Sequence, residues 1–311
     1  MAQEQERYDV LIVGGGPGGY TAALYCARAG LRTAVLEQLS EGGQMALTTQ
    51  IDNYPGFDEG VDGFELGTRM RRGAERFGAQ THLVQVQSLE LEGPYKRAHT
   101  DAGVFEGRAL ILATGATPRP LGLEKEESLV GRGVHHCASC DGMAYRGKRV
   151  AVIGGGNTAV QDALILARIC KEVLLVHRRD TLRAAKVTTA QLEHTPNVTF
   201  YWDSTVAALL HDGTFRGITL ENVKTHQLQD VPCDGVFVSI GRDPATALVQ
   251  GKLALDAGGY IAADESTRTS VPGVFAVGDV RTKAVRQVIT AASDGAVAAH
   301  AVEEYLAGSG G

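Results

Sequence analysis

The sequence predicts an α/β protein made of two Rossmann-like dinucleotide-binding domains, the second inserted into the first. Two segments share one order of apolar run, glycine-rich turn, amphipathic helix and second apolar run: "YDVLIVGGGPGGYTAALYCARAGLRTAVLEQ" and "RVAVIGGGNTAVQDALILARICKEVLLVHRR". Their nearly continuous apolar runs are typical of parallel strands covered on both faces. The chain has 311 residues, which exceeds the ~100–200 residues of a single domain.

The domain boundaries follow from two strand-like runs that flank the second copy. These runs are "ALILATGATPRP" (109–120) and "GVFVSIGRDPAT" (235–246), and each ends in Gly and then Pro, which mark sharp exits from strands. We therefore expect one dinucleotide-binding domain over residues 1–115 and 242–311. A second dinucleotide-binding domain, which carries a CxxC pair, is expected as an insertion over residues 116–241.

Composition excludes several classes of function. The formal net charge is -6 and like charges do not cluster, so neither a nucleic-acid partner nor an anionic membrane is indicated. No apolar stretch reaches the ~18–20 residues of a transmembrane helix. The first residues, "MAQEQERYDV", are polar and do not resemble the apolar part of a signal peptide. We expect a cytoplasmic protein.

Each glycine-rich turn has the spacing of a dinucleotide-binding site. The first glycine of such a turn allows a tight bend, the second lets the backbone approach a pyrophosphate, and the third position keeps helix and strand close. A helix N-terminus then offers free N–H groups to the phosphates. A tight turn without a ligand is the alternative for either copy alone, but two copies in the right context favour nucleotides. The positions are Gly14, Gly16 and Gly19, and then Gly154, Gly156 and Ala159.

The two copies differ where the second strand ends. The offset that carries Gly14 to Gly154 also carries Glu37 to His177, which precedes Arg178, Arg179 and, further on, Arg183. A carboxylate at this place hydrogen-bonds a ribose 2′-OH, whereas arginines accommodate a 2′-phosphate. The first turn is therefore expected to bind FAD or NAD, and the second NADPH. A solvated basic segment is the alternative for the arginines.

A close cysteine pair, Cys137 and Cys140, lies just before the second glycine turn. Haem attachment is disfavoured because Asp141, not His, follows the second cysteine. Zinc is disfavoured because a second pair is missing and the adjacent His135 and His136 do not easily complete a tetrahedron. A structural disulfide across so short a loop gains little. Redox chemistry is favoured, with Asp141 either shuttling a proton or serving as a turn residue.

The three other cysteines are expected to be packing residues. Cys26 and Cys170 lie in helix patterns, and Cys233 precedes a strand.

Taken together, these motifs closely resemble those of the low-molecular-weight thioredoxin reductases, and the match runs nearly end to end. It includes "GGGPGGYTAAL", "GGQMALTTQIDNYPGF", "ATGA", "CASCDG", "GGGNTAV", "HRRDTLR", "GVFAVGDV" and "RQVITAASDG". The resemblance implies a homodimeric flavoprotein oxidoreductase, with an FAD-binding domain over residues 1–115 and 242–311 and an NADPH-binding domain over residues 116–241. Electrons would pass from NADPH to FAD, then to a redox disulfide, then to thioredoxin.

The resemblance also implies roles for individual residues. Cys137 and Cys140 would form the redox disulfide, and Asp141 would be its acid. FAD would be bound by Gly14, Gly16, Pro17, Gly19, Glu37, Gly42, Gly43, Gln44, Thr48, Asn53, Ala113, Gly278, Asp279, Arg286, Gln287 and Val288. NADPH would be bound by Gly154, Gly156, Asn157, Thr158, His177, Arg178, Arg179 and Arg183. No metal site is implied.

Some positions depart from the family pattern and leave the protein substrate open. "CASC" stands where "CATC" is common, Met143 and Ala144 replace bulky aromatics, and Arg242 stands where His is frequent. One alternative is a reductase of the same fold that serves a glutaredoxin-like or peroxidase-linked carrier. The other is a non-catalytic nucleotide-binding redox sensor.

Overall fold

The computed structural model describes residues 7–48 and 50–308. The chain divides into two compact units, one of residues 1–117 and 243–311 and one of residues 118–242. No helix in the described ranges is long and apolar enough to cross a membrane.

The strands in chain order are β1 (Arg7–Val13), β2 (Thr33–Glu37), β3 (Gln80–Leu83), β4 (Val86–Glu90), β5 (Lys96–Thr100), β6 (Gly103–Leu112), β7 (Ala116–Pro118), β8 (Val134–His135), β9 (Arg149–Ile153), β10 (Glu172–Val176), β11 (Val198–Tyr201), β12 (Ser204–His211), β13 (Phe215–Asn222), β14 (Leu228–Pro232), β15 (Gly235–Val238), β16 (Arg242–Pro244) and β17 (Val274–Ala276). The α-helices are α1 (Pro17–Arg28), α2 (Gly63–Glu75), α3 (Glu126–Leu129), α4 (Ala138–Asp141), α5 (Asn157–Ala167), α6 (Lys186–Glu193) and α7 (Val288–Gly308). Short 3-10 helices span Gly43–Leu47, Gly142–Tyr145, Ala247–Val249 and Gly278–Val280.

The first unit is built on a seven-stranded sheet in the order β3-β2-β1-β6-β5-β4, with β17 also paired to β6. Strand β6 pairs with β1 along one edge, and because it is long it has two successive partners along the other. Its first half pairs antiparallel with β5, and its second half pairs parallel with β17. The side chains of β1 alternate between two cores, with Val10 and Ile12 on one face and Leu11 and Val13 on the other. A parallel strand buried on both faces is what its continuous apolar sequence predicts.

Helices α1 and α7 cover one face of this sheet with small side chains. A Cβ on Gly295 of α7 would strike the backbone oxygen of Gly18 in α1, so glycine lets the two helices approach closely. The alanine-rich sequence of α7 has the same effect, since Ala298 and Ala299 lie in that core. Helix α7 follows β17, the last strand of the chain's described residues.

The second unit repeats the arrangement of the first. Its five-stranded parallel sheet has the order β11-β10-β9-β15-β8. Strand β9 lies between β10 and β15, just as β1 lies between β2 and β6. A three-stranded antiparallel sheet, β12-β13-β14, completes the unit, and β7 pairs with β16 in a separate two-stranded sheet. The predicted α/β class with two Rossmann-like sheets is confirmed.

One local prediction is wrong by three residues. Helix α5 ends at Ala167, so Cys170 lies in the turn that follows it and not within the helix. Its N–H still donates to the Leu166 oxygen at 2.7 Å, which explains why the apolar helix pattern extends to this residue. The side chain is buried, as expected of a packing residue.

Candidate active site

The two glycine-rich turns have matching backbone hydrogen bonds. The Gly14 N–H donates to Leu36 at 2.9 Å, and the Gly154 N–H donates to Val176 at 3.0 Å. Each bond ties the turn to the end of the neighbouring strand. Helices α1 and α5 start directly after these turns, and neither N-terminus is capped by a side chain. The first N–H groups of both helices are therefore free to bind an anion.

The outer positions of each turn are constrained by the protein itself. Gly14 and Gly154 have φ angles of 107° and 148°, a region that favours glycine. A Cβ on Gly19 would strike the Gly14 oxygen. In the second turn Ala159 occupies the matching place, and a Cβ on Gly154 would lie 2.8 Å from the Ala159 methyl. Tight packing of turn against helix explains these residues without any ligand.

The middle glycines require a different explanation. Gly16 and Gly156 have φ angles of -81° and -94°, which any residue can adopt. No described atom lies within 4 Å of a Cβ built on either residue. Neither the backbone conformation nor packing within the protein therefore requires glycine here. Close approach of a ligand backbone, such as a pyrophosphate, does require it, so both turns fit a dinucleotide.

The strand ends beside the two turns are chemically distinct. In the first unit, the Glu37 carboxylate accepts hydrogen bonds from the N–H groups of Gly15 at 2.6 Å and Gln38 at 2.9 Å. In the second unit the His177 ring packs directly against Gly155. Burial, followed by the nearby arginine charges, lowers the pKa of His177, so its imidazole is held neutral beneath the turn.

The predicted basic residues divide into two groups. His177 is buried and its Nε2 has no hydrogen-bond partner among the described residues, while the side chains of Arg178, Arg179 and Arg183 are exposed. The Arg183 N–H donates to the Gly155 oxygen at 2.7 Å. Three exposed guanidinium groups thus lie on the segment that follows β10 and is tied to the second turn.

The first residue of α5, Asn157, contacts the same segment, since its Oδ1 accepts a hydrogen bond from the Ala185 N–H at 2.9 Å. Thr158 follows it in α5 and is exposed.

In the first unit, a second group of predicted residues lies next to the glycine turn. The Gly42 N–H donates to the Gly15 oxygen at 2.9 Å, and a Cβ on Gly43 would lie 3.5 Å from Gly16 Cα. The 3-10 helix Gly43–Leu47 includes Gln44, which is exposed, and ends before Thr48. Ala113 follows β6, and its backbone oxygen lies against Gly14. Pro17 is the first residue of α1.

The remaining predicted flavin residues come together across the sequence. The Asn53 Nδ2 donates to Gln287 Oε1 at 3.1 Å. The Arg286 guanidinium lies 4.0 Å from the centroid of the Tyr260 ring and donates to the Asp279 backbone oxygen at 3.4 Å. Val288 begins α7 directly after this pair.

A buried ion cluster that sequence reasoning missed supports this second group. The Asp294 carboxylate accepts hydrogen bonds from Arg281 at 2.7 and 2.9 Å, from Lys283 at 2.8 Å and from the Gly278 N–H at 2.8 Å. It thereby fixes the Gly278–Val280 turn that contains Asp279. The available signal was a single acid in the otherwise apolar stretch "AASDGAVAA" of α7.

Cys137 and Cys140 form a disulfide, with their Cα atoms 5.3 Å apart. Cys137 is the N-cap residue of the short helix α4, and Cys140 lies within it. Both side chains are half-buried. Cys26, Cys170 and Cys233 are buried and free. Over residues 7–48 and 50–308, no group of three His, Cys, Asp or Glu side chains is placed to hold a metal ion.

Asp141, the predicted acid, has a partner that was missed. Its Oδ2 lies 3.2 Å from Nδ1 of His135, and Nε2 of that ring lies 2.7 Å from the Tyr145 hydroxyl. The sequence indicates His135 only as a candidate metal ligand beside His136. His135 and Asp141 are six residues apart in the sequence, a spacing that corresponds to no helix or strand period and therefore did not predict this contact.

Comparison with known proteins assigns the chain to a family. Residues 8–295 match the model of the pyridine nucleotide-disulphide oxidoreductases. A thioredoxin reductase of Streptomyces coelicolor is 47% identical over 302 residues, covering 96% of this chain and 94% of that protein. A bifunctional thioredoxin reductase/thioredoxin of Mycobacterium leprae is 43% identical over 302 residues, covering 96% of this chain and 66% of that protein.

Solved structures agree with these sequence matches. The crystal structure of thioredoxin reductase from Streptococcus pyogenes has a TM-score of 0.91 and 42% sequence identity, and the match covers 98% of this chain and 100% of that one. A thioredoxin reductase from Giardia duodenalis also has a TM-score of 0.91, at 32% identity, with 97% and 100% covered.

Proposed function

The chain belongs to the pyridine nucleotide-disulphide oxidoreductase family, and from this membership we propose that it is a thioredoxin-disulfide reductase. Electrons pass from NADPH through FAD to the Cys137–Cys140 disulfide and from there to thioredoxin. The family match and the relatives named thioredoxin reductase support the flavoprotein oxidoreductase and both cofactors. The single observation that carries the proposal is the half-buried Cys137–Cys140 disulfide in the unit that holds the second glycine turn.

The residues of the first unit fit FAD. The open space at Gly16 and the uncapped start of α1 suit a pyrophosphate, and Glu37 suits an adenosine ribose hydroxyl. We assign the region of the ring and ribityl chain to the group that contains Asn53, Asp279 and Gln287. FAD bound by these residues would supply two-electron chemistry between a nicotinamide and a disulfide.

The residues of the second unit fit NADPH. Gly156 offers the same open approach as Gly16, and the exposed Arg178 and Arg179 suit the 2′-phosphate because a guanidinium binds phosphate in two bonds at once. His177 is assigned a supporting role, since it is buried under the turn. Its neutral ring fills the space beneath Gly155 and leaves phosphate binding to the arginines.

Two electrons and two protons convert the Cys137–Cys140 bond into two thiols. One of them, as a thiolate, attacks a sulfur of the thioredoxin disulfide and forms a mixed disulfide. The other cysteine of the pair, as a thiolate, then attacks the first cysteine in the mixed disulfide. This attack restores the Cys137–Cys140 bond and releases thioredoxin as a dithiol. The resemblance further supports a cytoplasmic homodimer as part of the proposal.

Absorbance of NADPH tests the proposal when purified protein is mixed with oxidised thioredoxin. Cys137→Ser and Cys140→Ser are expected to abolish thioredoxin reduction, while NADPH still bleaches the flavin. Cys170→Ala is the matched control, because this thiol of the same unit lies outside the disulfide, and it retains turnover. Full thioredoxin reduction in either serine variant refutes the thiol assignment. If the protein reduces another disulfide carrier but does not reduce thioredoxin, thioredoxin is not its substrate.

A further inference from the structure

The short loop between the paired cysteines contains a single polar side chain, that of Ser139. Only Ala138 and Ser139 separate Cys137 from Cys140, and alanine carries no hydrogen-bonding side-chain group. The Ser139 Oγ lies 3.4 Å from the Cys137 Sγ, within hydrogen-bonding distance of a sulfur atom. A disulfide sulfur has no hydrogen to donate, so the serine hydroxyl is the donor and the sulfur is the acceptor. The loop therefore places a hydroxyl donor directly on one of the reacting sulfur atoms.

Two features of the loop hold the serine beside this sulfur. Cys137 is the N-cap residue of α4, and the Asp141 N–H donates to the Cys137 backbone oxygen at 3.1 Å. This bond closes the helical turn that contains Ser139. Ala138 is 2% exposed and lies in one core cluster with Val160 of α5, whereas Ser139 is exposed. The buried methyl group anchors the loop, and the serine hydroxyl remains on the accessible side next to the half-buried sulfur.

We infer that Ser139 is a further catalytic residue, whose hydroxyl stabilises the Cys137 thiolate that forms when the disulfide is reduced. This inference rests on the proposed function, in which the disulfide is reduced and a thiolate attacks the carrier. The nucleophile in thiol–disulfide exchange is the thiolate and not the thiol. A hydrogen bond to an ionised acceptor is about twice as strong as one to a neutral acceptor. Ser139 therefore favours the ionised sulfur of reduced Cys137 more than the neutral sulfur of the disulfide.

The hydroxyl acts without giving up its proton. Two electrons and one proton, which together equal the hydride of NADPH, break the Cys137–Cys140 bond. They leave a thiol at Cys140 and an anion at Cys137, and this anion accepts the hydrogen bond from the Ser139 hydroxyl. The anion then attacks one sulfur of the carrier disulfide, and the negative charge passes to the carrier sulfur that leaves. Ser139 is left unchanged, in contact with a neutral sulfur.

Loss of the Ser139 hydroxyl should change two measurable quantities. The cysteine pair becomes harder to reduce, because the reduced state loses a stronger hydrogen bond than the disulfide does. Cys137 also reacts more slowly with an alkylating reagent, because the reactive thiolate is less stabilised. A purely structural role of Ser139 would instead lower the stability of the oxidised protein and leave both quantities unchanged.

The first measurement is the reduction equilibrium of the cysteine pair in the holoenzyme. Wild type, Ser139→Ala and Ser139→Thr are equilibrated without oxygen in mixtures of reduced and oxidised dithiothreitol, and the thiols are then trapped and counted. In Ser139→Ala the ratio of reduced to oxidised pair should fall about fivefold, which equals about 20 mV for this two-electron couple. Ser139→Thr keeps a hydroxyl donor and should match the wild type within about twofold. Denaturant unfolding of the oxidised proteins should give the same midpoint for all three.

The second measurement is the alkylation rate of Cys137. Fully reduced holoenzyme is mixed with iodoacetamide at neutral pH, and mass spectrometry of the peptide that contains both cysteines locates the label. Labelling of Cys137 should slow about threefold to tenfold in Ser139→Ala but not in Ser139→Thr. Ser128→Ala is the matched control, because this exposed serine of α3 donates to a backbone oxygen, that of Lys125, at 2.8 Å. It should change neither quantity.

Neither measurement needs a carrier protein, so the inference and the proposed function can fail separately. A wild-type value of either quantity in Ser139→Ala overturns the inference, even if thioredoxin is reduced normally. Equal losses in Ser139→Thr and Ser139→Ala also overturn it, because the hydroxyl is then not the responsible group. If the Ser139→Ala changes are seen but thioredoxin is not reduced, the inference stands and the proposed carrier is wrong. Ser139→Val, which resembles Ser139→Thr in shape but lacks the hydroxyl, carries the test if the alanine variant does not fold.

Discussion

The backbone oxygen of Gly14 lies so close to Gly19 that a Cβ added at residue 19 would strike it. The first turn of α1 thus rests directly on the strand exit that starts the nucleotide-binding turn. A Cβ added at Gly16, between them, would meet no described atom within 4 Å. Two glycines of one motif are therefore required for different reasons, one by packing within the protein and one by space for a ligand.

Alanine substitutions should separate these two reasons. Gly19→Ala is expected to lower the free energy of unfolding of the FAD-free protein by about 1–3 kcal/mol, because the new methyl overlaps the Gly14 oxygen. Gly16→Ala should change it by no more than about 0.5 kcal/mol but lower the flavin content of the purified protein severalfold. Denaturant unfolding and the ratio of flavin to protein absorbance measure the two effects.

Gly73→Ala is the control, because a Cβ added at this α2 residue would also meet no described atom within 4 Å, and the residue lies outside the turn. It should keep full flavin content and gain roughly 0.4–1 kcal/mol. If Gly16→Ala keeps its flavin as well, the middle glycine does not mark the pyrophosphate site.

The sequence predicts the two sheets well because each β–α–β unit is local. Apolar runs, a glycine turn and a helix lie within one short segment, so the pattern that identifies them needs no distant partner. The contrast between Glu37 and His177 is visible for the same reason. What could not be predicted are side-chain contacts set by the path of irregular turns, which no apolar periodicity describes. His135 meets Asp141 and Tyr145 across the turn that contains α4, and Asp294 of α7 meets Arg281, which directly follows the Gly278–Val280 turn.

The five cysteines should differ sharply in reactivity. Burial raises the pKa of Cys26 and of Cys233 to about 12 and that of Cys170 to about 11, so their thiolate forms are scarce at neutral pH. After reduction by NADPH, we expect two thiols per native chain to react rapidly with an aromatic disulfide reagent, those of Cys137 and Cys140. The other three should react only in denaturant. Rapid labelling of a third thiol in the folded protein contradicts this assignment.

The exposed arginines after β10 should determine nucleotide preference. Arg178→Ala and Arg179→Ala are each expected to raise the KM for NADPH at least about tenfold, or about 1.4 kcal/mol, because a guanidinium contact with the 2′-phosphate is lost. Values of kcat/KM for NADH should change by less than about twofold. Arg168→Ala, at the other end of α5 and also exposed, is the control and should change neither. Equal losses of kcat/KM with NADPH and with NADH would mean that these arginines do not bind the 2′-phosphate.

Asp294 should make stability depend on pH in the acidic range. Burial by itself would raise the pKa of Asp294, but hydrogen bonds from Arg281 and Lys283 outweigh it and hold this pKa below its ordinary value. Because the folded protein favours the carboxylate, the stabilisation is complete above the ordinary value of ~3.9 and is lost as the pH falls through the lower folded value. Asp294→Asn is therefore expected to cost about 3–5 kcal/mol at neutral pH, because the buried charges of Arg281 and Lys283 lose the buried carboxylate that they share.

Urea unfolding at neutral pH and below about pH 4 measures this difference. The gap between wild type and Asp294→Asn should narrow as the pH falls, since protonation removes the same charge from the wild type. Glu304→Gln is the matched control, because its ion pair with Arg268 at 2.6 Å is exposed and should be worth less than about 1 kcal/mol. A cost for Asp294→Asn that stays constant with pH would mean that the amide disturbs packing and not charge, and the Gly278–Val280 turn would then not depend on the ion cluster.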